Sequence, residues 1–252
     1  RCIYEYVGTN MNKEKLLYEY ENSKHALQSD NIIAITNRHL CSRPFMEQLE
    51  RVCKLHPHAI VLREKDMPEA EYLSLARDVI ALCKKYDVQC MLHSFINVAM
   101  ELEHPYIHLP LPILEAYVKK NVSGNISTGM SKSTDNYQQF FKVIGTSVHS
   151  VEDAIKAEQL GATYMTAGHI FATDCKKGLP PRGLDFLKNV CDAVGIPVYA
   201  IGGINIASND DSTASDSPST YDAVPDISVP RLADVMECGA AGGCIMSGMM
   251  RV

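Results

Sequence analysis

A (β/α)8 TIM barrel is the fold this sequence predicts, on three observations. Short apolar runs alternate with helix-like segments about eight times along the chain. Those runs are continuously apolar, as parallel strands covered on both faces require. The first strand-to-helix turn, Thr36–Ser42, has no glycine-rich dinucleotide loop, which disfavours an open doubly wound sheet.

The elements follow in order. Residues 1–30 form a polar N-terminal extension in which Lys13–Leu27 has helical spacing, with Leu16, Leu17, Tyr20 and Leu27 on one side. Ile32–Thr36 reads as the first strand and Arg43–Leu55 as its helix. Ala59–Leu62 is the second strand, running into Arg63-Glu64-Lys65. Pro68 opens a helix to Tyr86, where its missing N–H costs nothing. Val88–Leu92, Ile96–Leu102, Tyr106–Leu109 and Ile113–Lys119 give two more strand–helix pairs. Asn121–Asn136 is rich in Ser, Gly, Asn and Lys and reads as a surface loop; 121–136 is the first polar insertion. Lys142–Val148 is strand five. Ser150 is placed to cap Val151–Leu160, with Glu152 and Asp153 in the first turn and Gly161 closing it. Ala162–Ala167 and Leu184–Val194 form the sixth pair, and Pro197–Ile201 the seventh strand. The second polar insertion, 208–226, is dense in Asp, Ser, Thr and Pro. Val229–Cys238 is a helix and Gly243–Met246 the eighth strand. The whole, 1–252, is read as one barrel domain whose eighth helix is absent or replaced by the N-terminal helix, with truncation as the alternative.

The totals limit the function. The 252 residues are 46% hydrophobic and 21% charged, with net charge −6 and no extended basic cluster, so neither nucleic acid nor an anionic membrane is an expected partner. No apolar run approaches the ~18 residues of a membrane span. Nine scattered cysteines, several inside apolar runs, read as small buried hydrophobes of a cytoplasmic protein rather than as metal ligands. A homo-oligomer is compatible with all of this.

Chemistry concentrates in one loop. Gly168-His169-Ile170-Phe171-Ala172-Thr173-Asp174-Cys175-Lys176-Lys177-Gly178 joins the sixth strand to its helix, where barrels carry their active sites. Taken with Arg63-Glu64-Lys65, Ser147-Val148-His149-Ser150 and Ala200-Ile201-Gly202-Gly203-Ile204, it resembles the thiamine phosphate synthase superfamily. The long loop is most similar to the thiazole tautomerase (TenI-type) branch. Synthases carry Gly-Pro where this chain has Gly168-His169. They also have an Asn-Asp pair after strand three and an Asp after strand four, which hold magnesium. Here the matching positions are His93-Ser94 and Ile113, and a synthase-like Gln is Val61.

The resemblance therefore implies an isomerase that aromatises a carboxythiazole phosphate by proton transfer, with no metal and no cofactor. It makes His169 the catalytic base, a task suited to imidazole near neutral pH. The phosphate would lie on Gly202, Gly203, Met246 and Ser247, at the loops that commonly hold phosphate in barrels, helped by the dipole of a following helix. If Val61 faces inward, alternation brings Arg63 and Lys65 to the mouth as carboxylate partners. Thr173 and Lys176 complete the substrate contacts, Lys176 with pairing to Asp174 as its alternative. His149 is read as structural, Cys175 as dispensable, and His93 is given no role. Two other readings stay open: thiamine phosphate synthase itself, and a sensor of phosphorylated ligands.

Overall fold

The computed structural model describes residues 30–126, 140–173, 176, 178–207 and 228–252. Eight parallel strands close into a barrel in sequence order: β1 (Ile32–Ile35), β2 (Ala59–Leu62), β3 (Gln89–His93), β4 (Tyr106–Pro110), β5 (Val143–Val148), β6 (Tyr164–Gly168), β7 (Val198–Ile201) and β8 (Gly242–Ile245). Closure is explicit in the register, with Ile33 opposite Ala59 on one side and Cys244 on the other. Helices follow the first seven strands: α1 (Phe45–Lys54), α2 (Glu69–Lys85), α3 (Ile96–Glu101), α4 (Leu111–Ile126), α5 (Val151–Gln159), α6 (Gly183–Ala193) and α7 (Leu232–Glu237).

Strand alternation divides the apolar residues into two layers. Ile33, Ile35, Ala59, Val61, Met91, Tyr164, Tyr199 and Cys244 fill the barrel interior. Their neighbours in sequence, such as Ile32, Ile60 and Leu92, meet the buried helix faces outside, among them Leu49, Val52, Val79 and Leu187. The barrel is thus a packed core, and only its end is available for a site. Tyr72 of α2 is fully buried. Its hydroxyl donates to the Leu62 carbonyl (2.7 Å) and accepts from the His93 N–H (2.9 Å), tying the ends of β2 and β3 together.

Several local expectations hold. Ser150 Oγ accepts from the Asp153 N–H at 3.0 Å, and Gly161 has φ 88°, so α5 has both of its predicted stops. Cys53, Cys83, Cys90 and Cys244 are buried free thiols.

One expectation changes, and the absence of a helix after the eighth strand agrees with the sequence. The surface loop predicted from Asn121 is helical up to Ile126, where α4 ends, and 127–136 lies outside the described residues. Asn121 stays helical by donating its side-chain amide to the Tyr117 carbonyl four residues back (2.9 Å). After β8 the chain makes turns rather than a helix, and among the described residues no helix fills the eighth position. Met249 and Met250 of those turns are fully buried, and Gln48 of α1 donates to the Met249 carbonyl at 2.8 Å. The predicted helix Lys13–Leu27 and the 208–226 insertion lie outside the described residues. No helix among the described residues is long and apolar enough to cross a membrane.

Candidate active site

The C-terminal ends of the strands surround one cavity of about 550 Å³. Every residue expected at the site lines it: His169, Arg63, Lys65, Thr173, Lys176, Gly202, Gly203, Met246 and Ser247. They come from four separate loops, so the barrel closure is what brings them together.

One side of the mouth is built from backbone. Gly202 and Gly203 follow β7 with φ of 100° and 71°. A Cβ on Gly202 would run into His169, and one on Gly203 would lie 2.5 Å from the Ala172 carbonyl oxygen. Both conformation and space therefore demand glycine here. Arg231, which the sequence reading passed over, donates to the Gly203 carbonyl (2.7 Å) and stacks on Phe171 at 4.5 Å. Ser247 Oγ donates to Asn205 Oδ1 (3.2 Å), adding an amide to the same wall. The expected helix dipole is missing. Gly203 leads into the irregular stretch 204–207, and Ser247 into turns, so this wall must rely on local N–H and hydroxyl donors.

The opposite side is built from charged and aromatic side chains. Val61 faces the interior, and Arg63 and Lys65 continue along the same side into the cavity. Glu64, between them, turns the other way and is 2% exposed. It accepts from Thr36 Oγ1 (2.7 Å), from the Arg38 backbone (3.1 Å) and from Arg38 Nη1 (3.0 Å). Thr36 Oγ1 in turn accepts from the Arg63 N–H (2.9 Å), which fixes the strand end carrying both cations. Lys176 reaches the same cavity from the β6 loop, where its N–H donates to the Thr173 carbonyl at 3.1 Å. Burial, then the neighbouring Arg63 and Lys176, lowers the proton affinity of Lys65.

On the floor stand two histidines whose rings stack at 5.7 Å, His93 from β3 and His108 from β4. His108 is held at both nitrogens, by Tyr164 Oη and Ser147 Oγ at 2.9 Å each, and Thr166 Oγ1 extends the network to Ser147 at 3.0 Å. His93 Nδ1 bonds Ser94 Oγ at 2.8 Å. Burial holds both imidazoles neutral, His93 down to about 2 with help from His108 and Arg63, and His108 to about 3 with help from Arg63. The sequence shows two histidines at strand ends, but nothing in it pairs them.

At the loop that drew attention in the sequence, the Gly168–His169 peptide is cis and His169 is half-buried, its Nε2 3.4 Å from the Leu179 carbonyl. His149 bonds the Gly168 carbonyl through Nδ1 (2.8 Å), the structural role expected of it. Asp174, Cys175 and Lys177 lie outside the described residues.

A closed eight-stranded barrel with a cavity at the C-terminal ends of its strands has the layout in which barrel enzymes place their active sites. The particular family is shown by sequence: the family model for thiamine monophosphate synthase (TMP-TENI) matches residues 32–216, and the chain belongs to that family. It is 34% identical over 178 residues to a putative thiamine-phosphate synthase 2 of Aquifex aeolicus, covering 71% of this chain and 87% of that one. A thiamine-phosphate synthase of Caldanaerobacter subterraneus is 30% identical over 175 residues, 69% of this chain and 75% of its own. The solved thiamine phosphate pyrophosphorylase of Pyrococcus furiosus superposes with a TM-score of 0.61 at 24% identity over 89% of both chains, a likeness of fold.

These relatives overturn the tautomerase expectation, since they carry the synthase name. The departures that favoured it, at Val61, His93-Ser94, Ile113 and His169, are a few positions in a chain that is 34% identical over 178 residues to a putative synthase.

The family resemblance also implies magnesium, and the donors here do not fit it. A hard cation takes carboxylate and phosphate oxygens. The floor instead offers two neutral imidazoles, and Ile113 is exposed on α4, away from the cavity lining. Of the two lining carboxylates, Asp153 and Glu115, Glu115 is paired with Lys156 at 2.7 Å. Among the described residues no group of three His, Cys, Asp or Glu is placed to hold a metal.

Proposed function

We propose that this chain is a synthase-type transferase, joining a pyrimidine pyrophosphate to a thiazole phosphate with release of pyrophosphate. The observation that carries the reading is that one cavity holds two separate anion-receptive walls. The Gly202–Gly203–Ser247 wall suits a phosphate monoester. The Arg63–Lys65–Lys176 wall suits a second, more highly charged group. An isomerase of a carboxylated phosphate would use both walls as well, and it is the synthase relatives that favour the transferase.

The chemistry asks little acid–base work of the protein. The thiazole ring nitrogen forms a C–N bond to the pyrimidine methylene carbon while the C–O bond to pyrophosphate breaks, and the bonding pair leaves with the pyrophosphate. No proton changes hands, so His169 is not needed as a base, and its place in this reading is as a wall of the ring pocket. The three cations stabilise charge that grows on the leaving group, an effect usually worth several kcal/mol in a site fixed beforehand. The neutral imidazoles and Tyr164 beneath them shape a floor for the planar rings.

The test is to supply both substrates and measure thiamine phosphate by chromatography. Product above the enzyme-free rate supports the transferase. Binding of the thiazole phosphate with no product in any buffer would leave the sensor reading in its place.

A further inference from the structure

Behind the glycine wall stands a guanidinium that does not itself line the cavity, that of Arg231. We infer that Arg231 is a positioning residue for the phosphate monoester. By binding the Gly203 carbonyl it turns and polarises the Gly203–Ile204 peptide, so that the Ile204 N–H donates into the site. The inference rests on the reading of the Gly202–Gly203–Ser247 wall as the seat of that ester.

Three successive carbonyls of this turn are engaged. That of Ile201 accepts from the Ile170 N–H (2.9 Å), that of Gly202 from the Phe171 N–H (3.0 Å), and that of Gly203 from Arg231 Nη1 (2.7 Å). The first two bonds fasten the turn to the β6 loop through backbone alone, whereas the third depends on a side chain. The Gly203–Ile204 peptide is trans, and the C=O and N–H of a trans peptide point in opposite directions. A carbonyl drawn back to Arg231, outside the cavity lining, therefore sends the Ile204 N–H toward the cavity, which Ile204 lines. Among the described residues no acceptor takes that N–H or the N–H of Gly203. A charged donor on the carbonyl also polarises the peptide and so strengthens its N–H as a donor. At other phosphate sites a helix N-terminus does this work, but here Gly203 leads into irregular chain. Phe171 steadies the guanidinium from below. Its ring lies 4.5 Å from Arg231 Cζ, and a Cβ on Gly203 would come within 2.6 Å of Phe171 Cβ, so glycine, ring and guanidinium pack as one unit.

The test titrates thiazole phosphate calorimetrically into the full chain and into Arg231→Met and Arg231→Lys, with a thermal melt of each. Arg231→Met should raise the Kd about tenfold, the loss of one charge-assisted hydrogen bond. Arg231→Lys, which keeps a charged donor for the Gly203 carbonyl, should restore it to within about threefold of the parent. Inorganic pyrophosphate, titrated with magnesium present as a ligand of the other wall, should bind all three chains alike. Arg231→Met that binds thiazole phosphate like the parent would overturn the inference, whatever its melting temperature, because the arginine would then only support the start of α7. An equal loss for both ligands would overturn it too, and a parent chain that binds no thiazole phosphate would remove the wall's reading and the inference together. Condensation separates the inference from the transferase. Product formed by Arg231→Met with an unchanged KM for thiazole phosphate keeps the transferase and removes the positioning role. Thiazole phosphate binding that falls in Arg231→Met, in a parent that makes no product, does the reverse.

Discussion

The two walls of the mouth are made of different material. After β7 the chain presents two glycines in conformations closed to other residues, backed by Arg231, with Ser247 after β8 bonded to Asn205. At β2, β3 and β4 it presents long cations over a floor of neutral imidazoles. The first wall is a property of backbone shape and tolerates no substitution without moving. The second is a property of side chains on strand ends, where one residue can change without disturbing the barrel. The departures at Val61, His93-Ser94, Ile113 and His169 pointed to a branch whose name the relatives do not carry.

Substitutions can separate the walls. The largest effect is expected at the cationic wall: Arg63→Met should lower kcat/KM for condensation by about 10²–10³, the cost typical of losing one preorganised charge-stabilising donor. Binding of inorganic phosphate at the glycine wall should change little. An equal loss at both walls would show that they act as one site.

The floor should reveal itself through pH. His93 and His108 are held neutral in the fold, at about 2 and about 3, while an unfolded histidine titrates near 6.5. The unfolded chain then binds more protons below that value, so stability falls as pH drops from about 6.5 toward 3. Each imidazole contributes up to about 1.4 kcal/mol per pH unit. Denaturant melts at a series of pH values should show this slope, and His93→Asn should reduce it. A slope unchanged in that variant would mean that the ring is not held neutral.

Gly203→Ala tests the backbone wall. Its Cβ would sit 2.5 Å from the Ala172 oxygen at φ 71°, which should cost roughly 1–3 kcal/mol of stability. It should also weaken inorganic phosphate about tenfold, read by calorimetry, while sparing pyrophosphate. The smallest effect belongs to a control remote from ligand chemistry. Ser150→Ala removes the cap on α5 and should lower stability by about 1 kcal/mol in a thermal melt, with kcat/KM retained.

The barrel was legible because each strand and helix carries its own local signal. The continuous apolar runs gave all eight strands, and Ser150 and Gly161 marked α5 at both ends. The alternation from Val61 through Arg63 to Lys65 placed two cations at the mouth before any coordinates. What stayed hidden depends on proximity across the barrel. His93 and His108 are fifteen positions apart and meet only because β3 and β4 are neighbours. Arg231 follows a long polar insertion and belongs to no motif, yet it holds the Gly203 carbonyl. The extension of α4 was missed because residues 121–126 are poor helix formers by type, and the Asn121 side-chain bond to Tyr117 has no sequence signature.

Simultaneous occupancy of the two walls is the most direct test. Thiazole phosphate would be titrated calorimetrically into chain already saturated with inorganic pyrophosphate. Two walls serving two substrates predict that it still binds, one molecule per chain, with heat lost in Gly203→Ala and retained in Lys65→Met. Mutual displacement of the two ligands would contradict the account, because a single anion site cannot bring two phosphorylated substrates together.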